Sequence, residues 1–146
     1  MNPYETLTSL QTLVRLRDAD VDRLRAELDA KRRLQERYRR NIERMDALCG
    51  QSGASAAALP ALALNCAGYK GALLQLMASQ RQDLALAEAD AAVSRQALTA
   101  ATLRREAMAQ ARDDVAGRIA SETARREQRR CDESAGQAWW RGRRAV

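Results

Sequence analysis

The side chains that most often carry catalysis or bind metals are scarce in this sequence. It contains no histidine, and its three cysteines, Cys49, Cys66 and Cys131, are far apart and form no C-x-x-C pair. This spacing indicates neither a zinc site nor a disulfide framework. We therefore expect no metal and no cofactor, and thiols that stay reduced, as they do in the cytoplasm.

One pair of carboxylates is close enough in sequence to be considered for acid–base chemistry. Asp113 and Asp114 are adjacent, but adjacent residues on a helix point apart, so the pair cannot form a two-carboxylate site without a pocket. Neither a phosphate-binding G-x-x-x-x-G-K-[ST] loop nor a G-x-S-x-G elbow is present. We predict that the protein is not an enzyme and has no small-molecule substrate.

The composition favours long helices over a thick globular core. The 146 residues include no Phe, two Trp and three Tyr, so the apolar share comes mainly from Ala and Leu. Core-filling aromatic residues are therefore few, whereas Ala, Leu, Arg, Glu and Gln are strong helix formers. The length is typical of one domain, and we predict a single coiled-coil hairpin over residues 1–146.

The first helix is predicted at about residues 3–49. Asn2 is its expected N-cap, Pro3 takes the first helical position, and Glu5 is placed to complete a capping box. Apolar residues then repeat with heptad spacing, which is the pattern of a coiled coil. The a positions are Leu7, Val14, Val21, Leu28, Gln35, Ile42 and Cys49. The d positions are Leu10, Arg17, Leu24, Lys31, Tyr38 and Met45.

The turn between two helices is predicted at residues 50–60, GQSGASAAALP. Gly50 is the expected C-cap of the first helix, and Pro60 suits the first turn of the next. A second helix is predicted at about residues 61–138. Its stripe is Leu73, Met77, Leu84, Ala87, Ala91, Leu98, Ala101, Met108, Val115 and Ile119. The fold class is therefore all-α, an antiparallel two-helix coiled-coil hairpin whose second helix is longer.

The unequal helix lengths predict an overhang. With the turn centred near residue 55, residue x lies beside residue 110 minus x, because both helices have the same rise. Leu7 and Leu10 then pair near residues 100–103, Leu13 is less covered, and everything after about residue 108 has no partner. Val115 and Ile119 would form an exposed apolar stripe.

The end of the predicted overhang combines basic and aromatic residues. Arginines stand at Arg125, Arg126, Arg129 and Arg130, and Trp139 and Trp140 follow. Trp and Arg are enriched at binding hot spots, so this segment is either a protein-binding surface or a disordered tail.

Charge leaves two other classes of coiled coil open. The net charge of +6 comes from 25 basic and 19 acidic residues, which are mixed along the chain. A nucleic-acid-binding coiled coil needs a dense basic block, whereas the short run Arg125–Arg130 contains Glu127. A self-associating scaffold is the other alternative, because a seam pattern does not name its partner. Residues 54–67 are too few to span a bilayer.

Three stretches carry a resemblance to a known family. They are SLQTLVRLRDADVDRLRAEL (Ser9–Leu28), NCAGYKGALLQLM (Asn65–Met77) and RREQRRCDESAGQAWWR (Arg125–Arg141). With this layout, nearly the whole chain resembles the flagellar export protein family FliJ and its injectisome counterparts of the YscO type. The sequence leaves open whether the system is flagellar or an injectisome.

The resemblance implies a non-catalytic stalk of a type III protein export apparatus, used in flagellum biogenesis and motility. The stalk would insert in the hexameric export ATPase, reach the cytoplasmic domain of the export gate and escort export chaperones. Its place would be cytoplasmic, at the inner-membrane export apparatus. The ATPase contact would use Leu7, Leu10, Leu13, Val115, Ile119, the four arginines at 125, 126, 129 and 130, Trp139 and Trp140. The gate contact would use Tyr69, Leu73 and Leu76.

Overall fold

The computed structural model describes residues 2–51 and 60–144 and contains two α-helices. Helix α1 is Pro3–Gln51 and helix α2 is Pro60–Arg144. The helices pack against each other in antiparallel directions, because residues late in α1 contact residues early in α2. The predicted all-α hairpin with a longer second helix is confirmed. Most of the predicted turn, residues 52–59, lies outside the described residues.

The contacts between the helices fall into two units. One unit contains Val21–Ala100, and the other contains the chain up to Asp20 together with the chain from Ala101 onward. Each unit therefore includes a part of both helices. The single domain over residues 1–146 stays a prediction.

The helix starts follow the expected local rules. The Oδ1 atom of Asn2 accepts a 3.1 Å hydrogen bond from the backbone N–H of Tyr4, so Asn2 caps α1. Pro60 is the first residue of α2. The expected C-cap at Gly50 is wrong, because Gly50 lies within α1 and no described glycine has a positive φ. Helix α2 also continues to Arg144 rather than ending near residue 138.

The heptad pattern of α1 predicts which residues are covered. Five a positions are buried, and the other two, Leu7 and Ile42, are half-buried. The d positions are half-buried except for Met45, which is buried. The residues of the predicted α2 stripe are likewise all buried or half-buried. The buried a positions are Val14, Val21, Leu28, Gln35 and Cys49.

The register between the helices differs from the expected one. In the unit of residues 21–100, the side chain of Gln35 donates a 3.0 Å hydrogen bond to the carbonyl of Ala87, and their residue numbers add to 122. When each a or d position of α1 is placed opposite a seam position of α2, the residue numbers of every pair also add to 122. The prediction of 110 is therefore wrong by 12 residues. The prediction assumed that the turn is centred near residue 55, midway through residues 50–60. The contacts along the seam set the register instead, and they place residue 51 opposite residue 71.

Two adjacent layers in the same unit are apolar on both helices. Met45, Cys49, Leu73 and Met77 form one apolar cluster, and Ile42 packs against it. Met77 is only 1% exposed. The register pairs Met45 with Met77 and Cys49 with Leu73. These two layers therefore bury apolar side chains from both helices.

Polar residues interrupt the seam in the middle of the same unit. The Nζ atom of Lys31 lies 2.6 Å from the Oγ atom of Ser94 and 2.9 Å from the Oδ1 atom of Asp90. Together with the Gln35 hydrogen bond, these contacts can be made in only one register, so they specify how the helices align. No helix in the described ranges is apolar enough over a sufficient length to cross a membrane.

Candidate functional site

The most exposed part of the chain is the end of α2, residues 120–144, which we call the basic segment. Every residue in it is exposed. It contains seven arginines and four carboxylates, which gives a net charge of +3, half of the +6 of the whole chain. An α-helix of 25 residues is about 37 Å long. The basic segment is therefore a long, positively charged helical surface.

The basic segment begins later than the sequence predicted. Val115 is only 8% exposed and Ile119 is half-buried, so the expected exposed stripe of these two residues is wrong. They line a groove together with Pro3 and Thr6 of α1. The register places Leu7 opposite Val115, not near residue 103. The covered part of α2 consequently reaches about residue 119 instead of 108.

The apolar residues at the start of α1 are covered to different extents. Leu7 and Leu10 are half-buried, and the register directs them to Val115 and Arg112 instead of residues 100–103. Leu13 is 41% exposed, as expected for a flanking position. Of these three, Leu13 presents the most surface to a partner.

The four central arginines of the basic segment are available to a partner. They stand in two i, i+4 pairs, Arg125 with Arg129 and Arg126 with Arg130, and like charges at this spacing repel. In the part of the helix that is described, none of the four has a carboxylate within ion-pair distance. The nearby carboxylate of Asp132 accepts a 2.9 Å hydrogen bond from Gln128 instead. An acidic partner would relieve the repulsion.

The two tryptophans form a small ordered cluster near the end of α2. Trp139 and Trp140 are 57% and 61% exposed, and their rings pack edge to face with centroids 6.0 Å apart. The guanidinium carbon of Arg143 lies 4.8 Å from the centroid of the Trp139 ring, a cation–π contact. The cluster thus presents a large apolar area that is already partly fixed, which favours binding.

A second exposed surface lies in the unit of residues 21–100. Tyr69 is 51% exposed and Leu76 is 50% exposed, whereas Leu73 is 9% exposed and belongs to the core cluster. Leu73 is therefore a seam residue, and its expected role in a partner contact is not compatible with its burial. The register places Leu73 opposite Cys49 in the seam.

Sequence reasoning missed two members of this second surface. Leu62 precedes Tyr69 by seven residues, as Tyr69 precedes Leu76, so the three lie on one side of α2. Leu62 is 45% exposed. Leu48 of α1 is 43% exposed; it stands directly before the seam residue Cys49, as Leu76 stands directly before Met77, so the two flank the seam on the same side. We call Leu48, Leu62, Tyr69 and Leu76 the apolar patch. The sequence feature that could have predicted it is the seven-residue spacing of apolar residues at positions next to the seam.

Some titratable groups of the described residues form structural contacts. Asp18 raises the pKa of Arg105 above its ordinary value, first through a hydrogen bond and then through its charge. Asp113, one of the two adjacent carboxylates, is paired with Arg112 at 2.7 Å. No group of three metal-ligating side chains occurs within residues 2–51 and 60–144. The arrangement can bind partners through charge and apolar contact.

The fold and these surfaces define a two-helix coiled-coil protein with a long exposed helical extension. The family model of the flagellar FliJ protein matches residues 6–144, which is nearly the whole chain. The chain belongs to the FliJ family, and it is a flagellar export-related protein that interacts with the export apparatus. No curated protein and no solved structure matches it.

Proposed function

We propose that this protein is a non-catalytic stalk of the flagellar export apparatus that binds the hexameric export ATPase through its basic segment. The observation that carries the proposal is that α2 continues as exposed, basic helix for about 25 residues past the last residues that α1 covers. A helix of this kind can enter a narrow channel, since it needs no partner helix to cover it. Such a stalk is located on the cytoplasmic side of the export apparatus.

Charge and aromatic contact have separate roles in this proposal. The unpaired arginines at 125, 126, 129 and 130 attract an acidic ring lumen and speed association. Trp139 and Trp140 then supply apolar contact area, which slows dissociation. Leu13 adds a further exposed apolar side chain from α1. Val115 and Ile119 support the site from within the seam rather than by touching the ATPase.

Truncation tests the ATPase contact. A chain that stops after Thr123 keeps all six residues that line the groove between the helices, namely Pro3, Thr6, Val115, Arg118, Ile119 and Glu122. We expect its helices to stay packed, while its affinity for the export ATPase falls at least about tenfold and its stimulation of ATP hydrolysis is lost. Equal binding by the truncated and the full chain would show that the contact lies elsewhere.

The apolar patch is the proposed contact with the cytoplasmic domain of the export gate. Exposed apolar side chains that cluster on one side of a helix usually mark an interaction site. Tyr69 and Leu76 are available for it, and Leu48 flanks the seam on the same side as Leu76. In this proposal Leu73 contributes only by holding α2 against α1.

Paired alanine variants test the gate contact. Tyr69→Ala with Leu76→Ala should weaken binding to the purified gate domain and leave ATPase binding unchanged. Leu64→Ala with Leu74→Ala is the matched control, because Leu64 is 77% exposed and Leu74 is 51% exposed but both lie off the patch. If the control pair weakens gate binding as much as the patch pair, the apolar patch is not the contact.

A further inference from the structure

Helix α2 carries a second apolar stripe on the side opposite the seam. Its three large members, Leu86, Val93 and Leu103, are 70%, 64% and 61% exposed. Together with Ala89, Gln96 and Ala100 they recur at alternating spacings of three and four residues, which is the spacing of a helix-packing seam. All members of the stripe lie on α2, and the helical repeat of α2 places them on one side of the helix. The outward-facing positions between 85 and 103 are Ala85, Leu86, Ala89, Ala92, Val93, Gln96, Thr99, Ala100 and Leu103.

The outer side of α1 has the opposite character. Ten of its fifteen outward-facing positions between Arg15 and Ala47 are charged, while none of the nine on α2 is. A solvated outer face normally carries charges, as that of α1 does. The uncharged face of α2 therefore indicates a surface that becomes covered. The charged positions on α1 are Arg15, Asp22, Arg23, Asp29, Arg33, Glu36, Arg37, Arg40, Glu43 and Arg44.

The stripe is complementary to itself when a second copy runs antiparallel. Around a two-fold axis between residues 94 and 95, facing residues have numbers that add to 189, and large residues meet large ones while alanines meet alanines. Such self-complementarity is the condition for an isologous dimer. The three layers, each occurring twice, are Leu86 with Leu103, Ala89 with Ala100, and Val93 with Gln96.

The flanking charges agree with the same alignment. Within the hairpin, the flanking ion pair between Arg39 and Glu88 spans 2.8 Å, and its residue numbers add to 127, five more than the seam layers. In the dimer, the same offset brings Asp90 of one copy to Arg104 of the other, and the reverse. The carboxylate of Asp90 also contacts Lys31 of its own copy at 2.9 Å, and its side chain is still 60% exposed; Arg104 is exposed. Two symmetric ion pairs therefore flank the proposed interface.

We propose that the stripe from Leu86 to Leu103 is the interface of an antiparallel homodimer, with the outer face of α2 packed on the same face of a second copy. The second copy is the occupant because both the apolar layers and the flanking charges match at one alignment. The contact is short and rich in alanine, so the dimer forms in the micromolar range and leaves the basic segment and the apolar patch uncovered.

Sedimentation equilibrium of the full chain tests this interface. A monomer has a mass of 16.2 kDa, and we expect reversible association to twice that mass. Leu86→Lys should weaken the dimer at least about tenfold, because it places a charge between apolar side chains. Leu16→Lys is the matched control, since Leu16 is 60% exposed on the outer face of α1, and it should leave the dissociation constant unchanged.

A charge variant tests the alignment separately. Arg104→Glu places a carboxylate opposite Asp90 of the second copy and should weaken the dimer several-fold at low salt and less at high salt. Arg33→Glu, on the outer face of α1, is its control. A chain that stays monomeric up to about 1 mM, or a dimer that neither Leu86→Lys nor Arg104→Glu weakens, would overturn the proposal.

Discussion

The Oδ1 atom of Asp18 on α1 accepts a 2.7 Å hydrogen bond from the Nε atom of Arg105 on α2. The side chains of Asp18 and Arg105 are 45% and 40% exposed, so the pair lies at the edge of the seam. By the register, Arg105 shares its layer with Arg17, whose guanidinium lies 3.4 Å from the carboxylate of Asp20. Two guanidinium groups thus occupy positions that leucines fill in a stable coiled coil.

This arginine layer should limit the stability of its unit. Replacing both Arg17 and Arg105 with Leu should raise the free energy of unfolding, because apolar contact replaces an exposed ion pair of small value. Urea unfolding followed by circular dichroism measures the change. Arg15→Leu, outside the seam, should shift it by less than about 0.5 kcal/mol. A double variant that is less stable than the parent chain would show that the Asp18 contact is essential.

The core cluster should dominate the stability of the unit of residues 21–100. Met77→Ala should cost about 2–4 kcal/mol, since the side chain is 1% exposed and its removal leaves a cavity beside Met45. Leu86→Ala, at a position 70% exposed, is the matched comparison and should cost less than about 0.5 kcal/mol at monomer concentrations. Similar losses for the two variants would contradict the assigned register.

The cysteines should differ in their tolerance of a hydroxyl group. Cys49 is 6% exposed inside the apolar cluster, so Cys49→Ser should destabilise the chain by about 1–2 kcal/mol. Cys66→Ser and Cys131→Ser should have little effect, because Cys66 is half-buried and Cys131 exposed. Thermal unfolding of the three variants checks the difference.

A disulfide at the turn is not compatible with the register. Cys49 lies opposite Leu73, and Cys66 precedes Leu73 by seven residues of α2, which is about 10 Å of helix. A disulfide needs Cα atoms closer than about 7 Å. Thiol titration of the purified chain under non-reducing, denaturing conditions should therefore find three thiols. A Cys49–Cys66 bridge in a peptide map would require a different alignment of the helices.

The seam of each helix could be predicted because heptad spacing fixes which side of a helix is apolar. The N-cap at Asn2 and the start of α2 at Pro60 followed from local rules as well. The alignment of the helices could not be predicted in this way. Three of the ten stripe positions of α2 are alanine, so several registers bury similar areas. The polar contacts of Lys31 and Gln35 that choose between them connect residues far apart in sequence.

The errors at Val115 and Ile119 follow from that register. A shift of 12 residues moved Val115 from the expected exposed stripe into the seam and left the exposed helix to begin near residue 120. Leu73 was expected both in the seam stripe of α2 and on a partner surface with Tyr69 and Leu76, and its burial opposite Cys49 agrees only with the first. The arginines and tryptophans were located correctly as exposed, since they lie beyond any alignment with α1.

The basic segment should bind nucleic acid only weakly. Its four carboxylates stand among seven arginines, so it displaces few counterions from duplex DNA. Fluorescence anisotropy with a labelled duplex should show no saturable binding at about 150 mM salt and only weak, strongly salt-dependent binding below it. Tight binding at the higher salt would favour the nucleic-acid-binding coiled coil instead.

The most direct test of the ATPase contact compares two sets of four neutralised arginines. The first set is Arg125, Arg126, Arg129 and Arg130→Gln in the basic segment. The control set, which removes the same charge from exposed outer positions of α1, is Arg15, Arg33, Arg37 and Arg44→Gln. Binding to the purified export ATPase is measured for both by surface plasmon resonance at physiological salt. We predict that the first set weakens binding at least about tenfold, while the control set changes it less than about twofold; equal affinities for the two variants would contradict the account.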